Sequence, residues 1–144
     1  MKQLYILLMV GMVLPIVSCN KDAASSSSSQ SEATKSVVNA VLTNKTWYLT
    51  YTITGTVKKN YQIQNTYSVT YNKDGTTSDS DGLTGTYVIE VVNNQSQIHT
   101  HVKTVNGNPL EDIFKILSIG DTQLAYTKLD STSSVNTQFY FTTK

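Results

Sequence analysis

Trp47-Tyr48-Leu49-Thr50-Tyr51-Thr52-Ile53-Thr54-Gly55-Thr56-Val57 is the stretch that decides the fold. Its odd positions carry Trp47, Leu49, Tyr51, Ile53 and Val57; its even positions carry Tyr48 and four threonines. Side chains alternate across a strand, so this pattern puts one set toward a core and the other toward water. The run Tyr61–Tyr71 repeats it, with Tyr61, Ile63, Asn65, Tyr67, Val69 and Tyr71 set against Gln62, Gln64, Thr66, Ser68 and Thr70. A loop at Lys58-Lys59-Asn60, with Asn60 left-handed, pairs the two odd sets. That register predicts Tyr51 beside Tyr67 and Trp47 beside Tyr71.

Downstream the same period continues. Asn72-Lys73-Asp74-Gly75 reads as a tight turn because Asp-Gly supplies positive φ. Strands are predicted at Thr76–Ser78, Thr84–Val92, Gln97–Val105, Ile113–Ile119, Thr122–Leu129 and Val135–Thr142. Turns separate them at Asp79–Gly82, Asn93–Ser96, Asn106–Pro109, Gly120-Asp121 and Ser131–Ser134. Eight sequential antiparallel strands predict an all-β fold, an eight-stranded up-and-down barrel, since closure removes exposed strand edges. Upstream, Val37, Val38, Val41 and Leu42 share one helical face within Glu32–Asn44, with Ser31 or Thr34 as cap. Ile113–Ile119 is apolar on both faces, so this short helix is expected to cover its outer side.

Composition narrows the function. The chain has 144 residues, 11 basic and 10 acidic side chains and a net charge of +1. That balance offers no basic patch for nucleic acid. One cysteine, Cys19, excludes an internal disulfide and a thiolate zinc cluster. No nucleophile elbow, phosphate loop or zinc-protease helix occurs, so the chain reads as a non-enzyme with no cofactor.

The N-terminus adds a location. Lys2 precedes an apolar run, Leu4–Val17, too short to span a bilayer and of signal-peptide length. It ends Ile16-Val17-Ser18-Cys19, which resembles the lipobox of bacterial lipoproteins. The resemblance implies that residues 1–18 are removed and that the Cys19 thiol accepts a diacylglycerol group. Two or three acyl chains suffice for stable anchoring. Asn20 follows rather than Asp, which implies the outer membrane. Cys19-Asn20-Lys21-Asp22 resembles the start of a surface-export signal, but Ala23-Ala24 lacks its acidic residues, so cell surface and periplasm both stay open. Residues 19–31, with Ser25–Ser29, read as a flexible tether, and residues 32–144 as the folded domain.

Asn44-Lys45-Thr46-Trp47-Tyr48-Leu49, Asn72-Lys73-Asp74-Gly75-Thr76, Thr84-Gly85-Thr86-Tyr87-Val88-Ile89 and Ile116–Leu124, together with the preceding helix, resemble small lipocalin-like domains of Gram-negative lipoproteins. The resemblance covers roughly residues 40–130. It implies a barrel that holds a small apolar or aromatic ligand.

The alternation independently places Trp47, Tyr51, Tyr61, Tyr67, Tyr71, Tyr87, Tyr126, Phe139 and Phe141 on one face. Aromatic walls with a few hydroxyls suit a small-molecule pocket. The same rings are also able to fill an eight-stranded barrel, leaving the outer surface to bind a protein or glycan. Asn65 is a candidate partner for a buried tyrosine hydroxyl. His99 and His101 project from one strand face. A turn centred on Asn94-Gln95 sets Glu90 opposite His99, which makes these three the candidate metal ligands. Asp79 and Asp81 read as turn residues.

Overall fold

The computed structural model describes residues 23–62, 66–104, 106–129 and 135–144. The predicted signal peptide, Cys19, Asn65 and the Ser131–Ser134 turn lie outside the described residues.

Among the described residues, one helix, α1 (Ala23–Leu42), precedes nine strand segments. They are β1 (Lys45–Thr54), β2 (Val57–Asn60), β3 (Ser68–Tyr71), β4 (Thr76–Asp79), β5 (Thr84–Val92), β6 (Gln95–Lys103), β7 (Pro109–Ile119), β8 (Gln123–Lys128) and β9 (Thr137–Thr142). Each pairs antiparallel with its sequence neighbour, except that β2 and β3 share one edge of β1. The other edge of β1 meets β9 and closes the sheet into an eight-stranded barrel. The all-β barrel expected from the alternation is therefore present.

Its first hairpin differs from expectation. The turn is Gly55-Thr56, with Gly55 at φ 60° and Thr54 facing Val57. Lys58, Lys59 and Asn60 belong to β2 instead of the loop. A glycine reaches positive φ without a Cβ clash, so Gly55 is the better turn former than Asn60. Trp47 consequently faces Val69, Lys45 faces Tyr71, and Tyr51 faces Asn60. The adjacent residues Leu49 and Thr50 bond to Tyr67 and Tyr61, respectively. The partner strand is thus split into β2 and β3 rather than continuous from Tyr61 to Tyr71.

Thr50 is also a bulge. Against β9, Leu49 pairs with Phe141 and Tyr51 with Tyr140, so one extra residue sits between them. A bulge reverses the alternation beyond it. Trp47 and Leu49 point into the barrel, and so does Thr52, opposite Phe139. Tyr51 turns outward.

The two-residue turn Asn93-Asn94, both at positive φ, links β5 and β6. It sets Val88 opposite His99 and Glu90 opposite Gln97, correcting the expected pairing of Glu90 with His99. Gly85 is required where β5 meets β6, because an added Cβ would lie 2.1 Å from the His101 carbonyl oxygen.

The helix takes in Ser25–Ser29 and starts well before Glu32. Serine costs a helix only about 0.5 kcal/mol relative to alanine, and adding a turn to an existing helix is easier than nucleating one. Its C-terminal end does not lie on the outer side of Ile113–Ile119. Val38 and Leu42 instead join the interior core with Trp47, and the Trp47 indole N–H donates to the Leu42 carbonyl at 2.9 Å. Asn44, at φ 60°, ends the helix and donates its N–H to Tyr71 O. The helix therefore plugs the barrel end at which the Asn72–Gly75 turn lies. Ile113 and Leu117 remain exposed on the outside.

Candidate functional site

The interior aromatics meet around Tyr126. Its ring centroid lies 4.7 Å from Phe114, 5.0 Å from Phe141 and 5.7 Å from Phe139. Tyr71 packs edge-on to Tyr87 at 5.0 Å, and Tyr67 edge-on to Phe141 at 6.3 Å. Edge-to-face packing suits rings whose faces carry negative charge and whose edges carry positive charge. Ile98 and Leu124 fill the space between the strands.

The hydroxyls are spent on protein partners. Tyr87 OH lies 2.8 Å from Asn39 Oδ1 and 2.9 Å from the Asn72 carbonyl, tying helix to turn at the plugged end. At the opposite mouth, Tyr67 OH donates to Asp79 Oδ2 at 3.1 Å. The other oxygen of Asp79 accepts the backbone N–H groups of Asp81 and Leu83, at 3.0 and 2.9 Å. Asp79 is thus a loop organiser, consistent with its reading as a turn residue.

Burial pushes the phenols of Tyr67, Tyr71 and Tyr126 well above their ordinary value. The Asp79 carboxylate raises Tyr67 further. A phenolate in this interior would lose its hydration and face a negative neighbour, so these groups stay neutral. They offer hydrogen bonds, not general-base chemistry at neutral pH.

The space left between them is small. A cleft of about 60 Å³ opens at the mouth between Tyr67, Tyr71, Asp79, Asp112, Phe114 and Tyr126. Sites for small organic ligands usually measure about 300–1,000 Å³. This one holds a few waters. Of the residues singled out from sequence, Trp47, Tyr61, Tyr67, Tyr71, Tyr87, Tyr126, Phe139 and Phe141 come together inside the barrel.

Tyr51 does not join them. It stacks on Tyr140 outside, at 4.3 Å between centroids and 14° between planes. The Lys58 ammonium lies 3.9 Å from the Tyr51 ring centroid. Beside this pair runs an outer groove of about 300 Å³ lined by Thr50, Tyr51, Ser118, Gln123, Tyr140 and Thr142. None of these except Tyr51 was singled out from the sequence. The signal was present in Phe139-Tyr140-Phe141, where inward-facing Phe139 and Phe141 force the intervening aromatic outward.

His99 and His101 project from the outer face of β6, but each has its own carboxylate. His99 Nε2 lies 3.5 Å from Glu90 Oε2, diagonally across the strand pair, and His101 Nδ1 lies 3.2 Å from Glu111 Oε1. Gln97 Oε1 also approaches His99 Nε2, at 3.2 Å. Among the described residues, no three groups of metal-ligand type converge. The arrangement is two separate surface pairs in place of the three-ligand set of Glu90, His99 and His101.

No family model, no curated protein and no solved structure matches the chain.

Proposed function

We propose that the chain is a lipid-anchored, lipocalin-like binding module of the outer membrane that works through its outer surface, with the barrel interior filled. The interior cleft of about 60 Å³ carries this reading. Lipocalin-like architecture is compatible with a small apolar ligand, but an aromatic core at this density leaves no room for one without repacking. The exterior offers larger concavities, including the groove of about 300 Å³ beside Tyr140. The lipobox-like Ile16–Cys19 supports an anchor at Cys19. A lipid anchor places the domain beside the membrane and leaves the barrel wall free to meet envelope components. No catalytic residue is assigned.

The test is titration of the purified chain with a fluorescent apolar probe, N-phenyl-1-naphthylamine, and with palmitate as competitor. A filled barrel shows no saturable uptake. Saturable uptake that palmitate displaces, and that changes on Phe139→Trp, would place a ligand inside and restore the interior-pocket reading. Metabolic labelling with a fatty acid tests the anchor independently. The wild-type chain should incorporate label and Cys19→Ala should not.

A further inference from the structure

The geometry points to the outer groove between β1, β9, β8 and β7 as a binding site for a neutral carbohydrate. This rests on the reading that the protein binds through its outer surface. Four antiparallel strands run side by side here, and their register brings Ser118, Ala125, Tyr140 and Tyr51 into one row across the sheet. A second row on the same face carries Gln123 and Thr142. The backbone of Leu124 and Phe141 passes between the two rows. The groove therefore has an aromatic wall on one side and an amide and a hydroxyl on the other.

Two breaks in strand register among the described residues border this place. The bulge at Thr50 turns Tyr51 outward against Tyr140. A second irregularity in β7, between Ile116 and Ser118, sets Ser118 opposite Ala125. Bulges re-aim side chains, and they are enriched beside functional sites. Here they assemble a half-buried aromatic pair on the outer face next to a small residue, Ala125, that leaves the sheet surface low.

The rings are held before any ligand arrives. Tyr51 is clamped between the Lys58 ammonium and the Tyr140 ring. The Tyr140 hydroxyl donates to Gln138 Oε1 at 2.6 Å. The Thr50 hydroxyl donates to the Tyr140 carbonyl at 2.8 Å. A fixed aromatic surface loses little entropy on binding.

The chemistry of the lining selects the ligand. Apart from Leu124 and Phe141, whose side chains are buried, the lining side chains carry hydroxyl, amide and phenol groups and no charge, so an ionic ligand finds no counter-ion among them. Among the described residues, the side chains of Ser118 and Gln123 take part in no hydrogen bond, so both are free to pair with a ligand. The amide of Gln123 donates and accepts, and the hydroxyls of Thr50, Ser118 and Thr142 keep acceptor capacity. A purely apolar ligand would strip water from these groups and return nothing. A sugar ring matches both walls. Its C–H face packs on the face of Tyr140 that Tyr51 does not cover, where the π-cloud is negative, and its hydroxyls pair with the amide and hydroxyl side. Pro-rich peptides dock in grooves lined by aromatic rings, and here one side is polar.

The test uses the isotope-labelled full chain in a detergent without a sugar headgroup. It is titrated separately with cellobiose, maltose, N,N′-diacetylchitobiose and lactose, and then with galacturonic acid and a proline decamer. At least one neutral disaccharide should shift the amides of Thr50, Ser118, Gln123 and Tyr140 saturably. Tyr140→Ala should weaken that binding by about tenfold or more. Gln123→Ala is exposed, so it should preserve the fold and still weaken binding. No saturable shift from any of the four sugars overturns the assignment. So does saturation of the groove by the proline decamer alone, by galacturonic acid alone, or binding that survives both substitutions. If sugars fail while the apolar probe also stays out of the barrel, the carbohydrate assignment falls and the outer-surface reading stands. If the probe enters, the outer-surface reading itself falls.

Discussion

Tyr67 and Tyr51 read alike in the sequence, each in the middle of an alternating run, yet they do opposite work. Tyr67 points into the barrel, packs on Phe141 and gives its hydroxyl to Asp79. Tyr51 lies outside, between Lys58 and Tyr140. A single inserted residue, Thr50, separates the two outcomes. The inner tyrosines are structural: they fill space and close hydrogen bonds, and burial keeps them neutral. The outer ones form a surface with a groove beside it. The lesson is that an aromatic row in a β-protein acquires its role from local register, and residue type alone does not assign it.

The sharpest way to break the inside–outside distinction is at Trp47, which is fully buried where helix and barrel meet. Trp47→Ala empties a large aromatic site and removes the N–H bond to Leu42. It should cost about 3–5 kcal/mol in urea melts. A loss below about 1 kcal/mol would mean that the plugged end contributes little and that the helix is dispensable.

The second test acts on the inner tyrosines together. Tyr67, Tyr71 and Tyr126 have folded-state values raised above the ordinary 10.0. Such a group contributes stability in full below the unfolded value, and the contribution is lost as pH rises from there through the folded value. Stability should therefore be insensitive to these phenols up to about pH 10. Above that it should fall by about 1.4 kcal/mol per pH unit for each phenol that ionises only on unfolding. Denaturant melts at rising pH, with ultraviolet absorbance following phenolate formation, check this. If all tyrosines ionise before the chain unfolds, the interior is more open to water than its packing implies.

Much of the fold was legible because period-two alternation is a local signal. Strands β5 to β9 lie within a few residues of where the pattern puts them. The first hairpin was harder. Gly55 sits inside an otherwise unbroken alternating run, and Lys58-Lys59-Asn60 looks equally turn-like, so local chemistry did not choose between them. The bulge at Thr50 had no sequence signal, since threonine fits a strand as well as a bulge. It follows from pairing with β9, some ninety residues downstream. The helix position was illegible for the same reason. An apolar stripe of Val37, Val38, Val41 and Leu42 says that the helix docks, and contacts distant in sequence, Trp47 with Leu42 and Tyr87 with Asn39, say that it docks on the barrel end. Eight of the nine aromatics expected on the inner face converge, Tyr51 being the exception, while the groove residues Ser118, Gln123, Tyr140 and Thr142 meet only once the barrel closes.

A smaller effect is expected at the mouth. Tyr67→Phe keeps the ring in place and removes the donor to Asp79 Oδ2. Hydrogen bonds to charged groups are worth about 1.5–3 kcal/mol, and this one is partly exposed, so a loss of about 1.5 kcal/mol is expected. Asp79→Asn should lose a similar amount, and the double variant little more than either alone, because both break one interaction. Additive losses would show that Asp79 acts mainly through the Asp81 and Leu83 backbone groups.

The smallest effect sharpens the comparison most. Tyr51→Ala removes one ring of the stacked outer pair and the surface under Lys58. Stacked aromatic pairs contribute about 0.5–1.5 kcal/mol beyond their burial, and an exposed cation over a ring adds about 0.5 kcal/mol. The side chain is only half-buried, so the total should be near 1 kcal/mol. Tyr67→Ala, emptying an interior position, should cost about three times as much. Had the hairpin turned at Lys58–Asn60 without a bulge, the two substitutions would cost the same, since both rings would share one core. Equal losses in parallel urea melts would therefore return Tyr51 to the interior and dissolve the outer groove. A clear gap, with Thr52→Ala costing more than its size suggests because Thr52 faces inward opposite Phe139, would locate the reversal at Thr50.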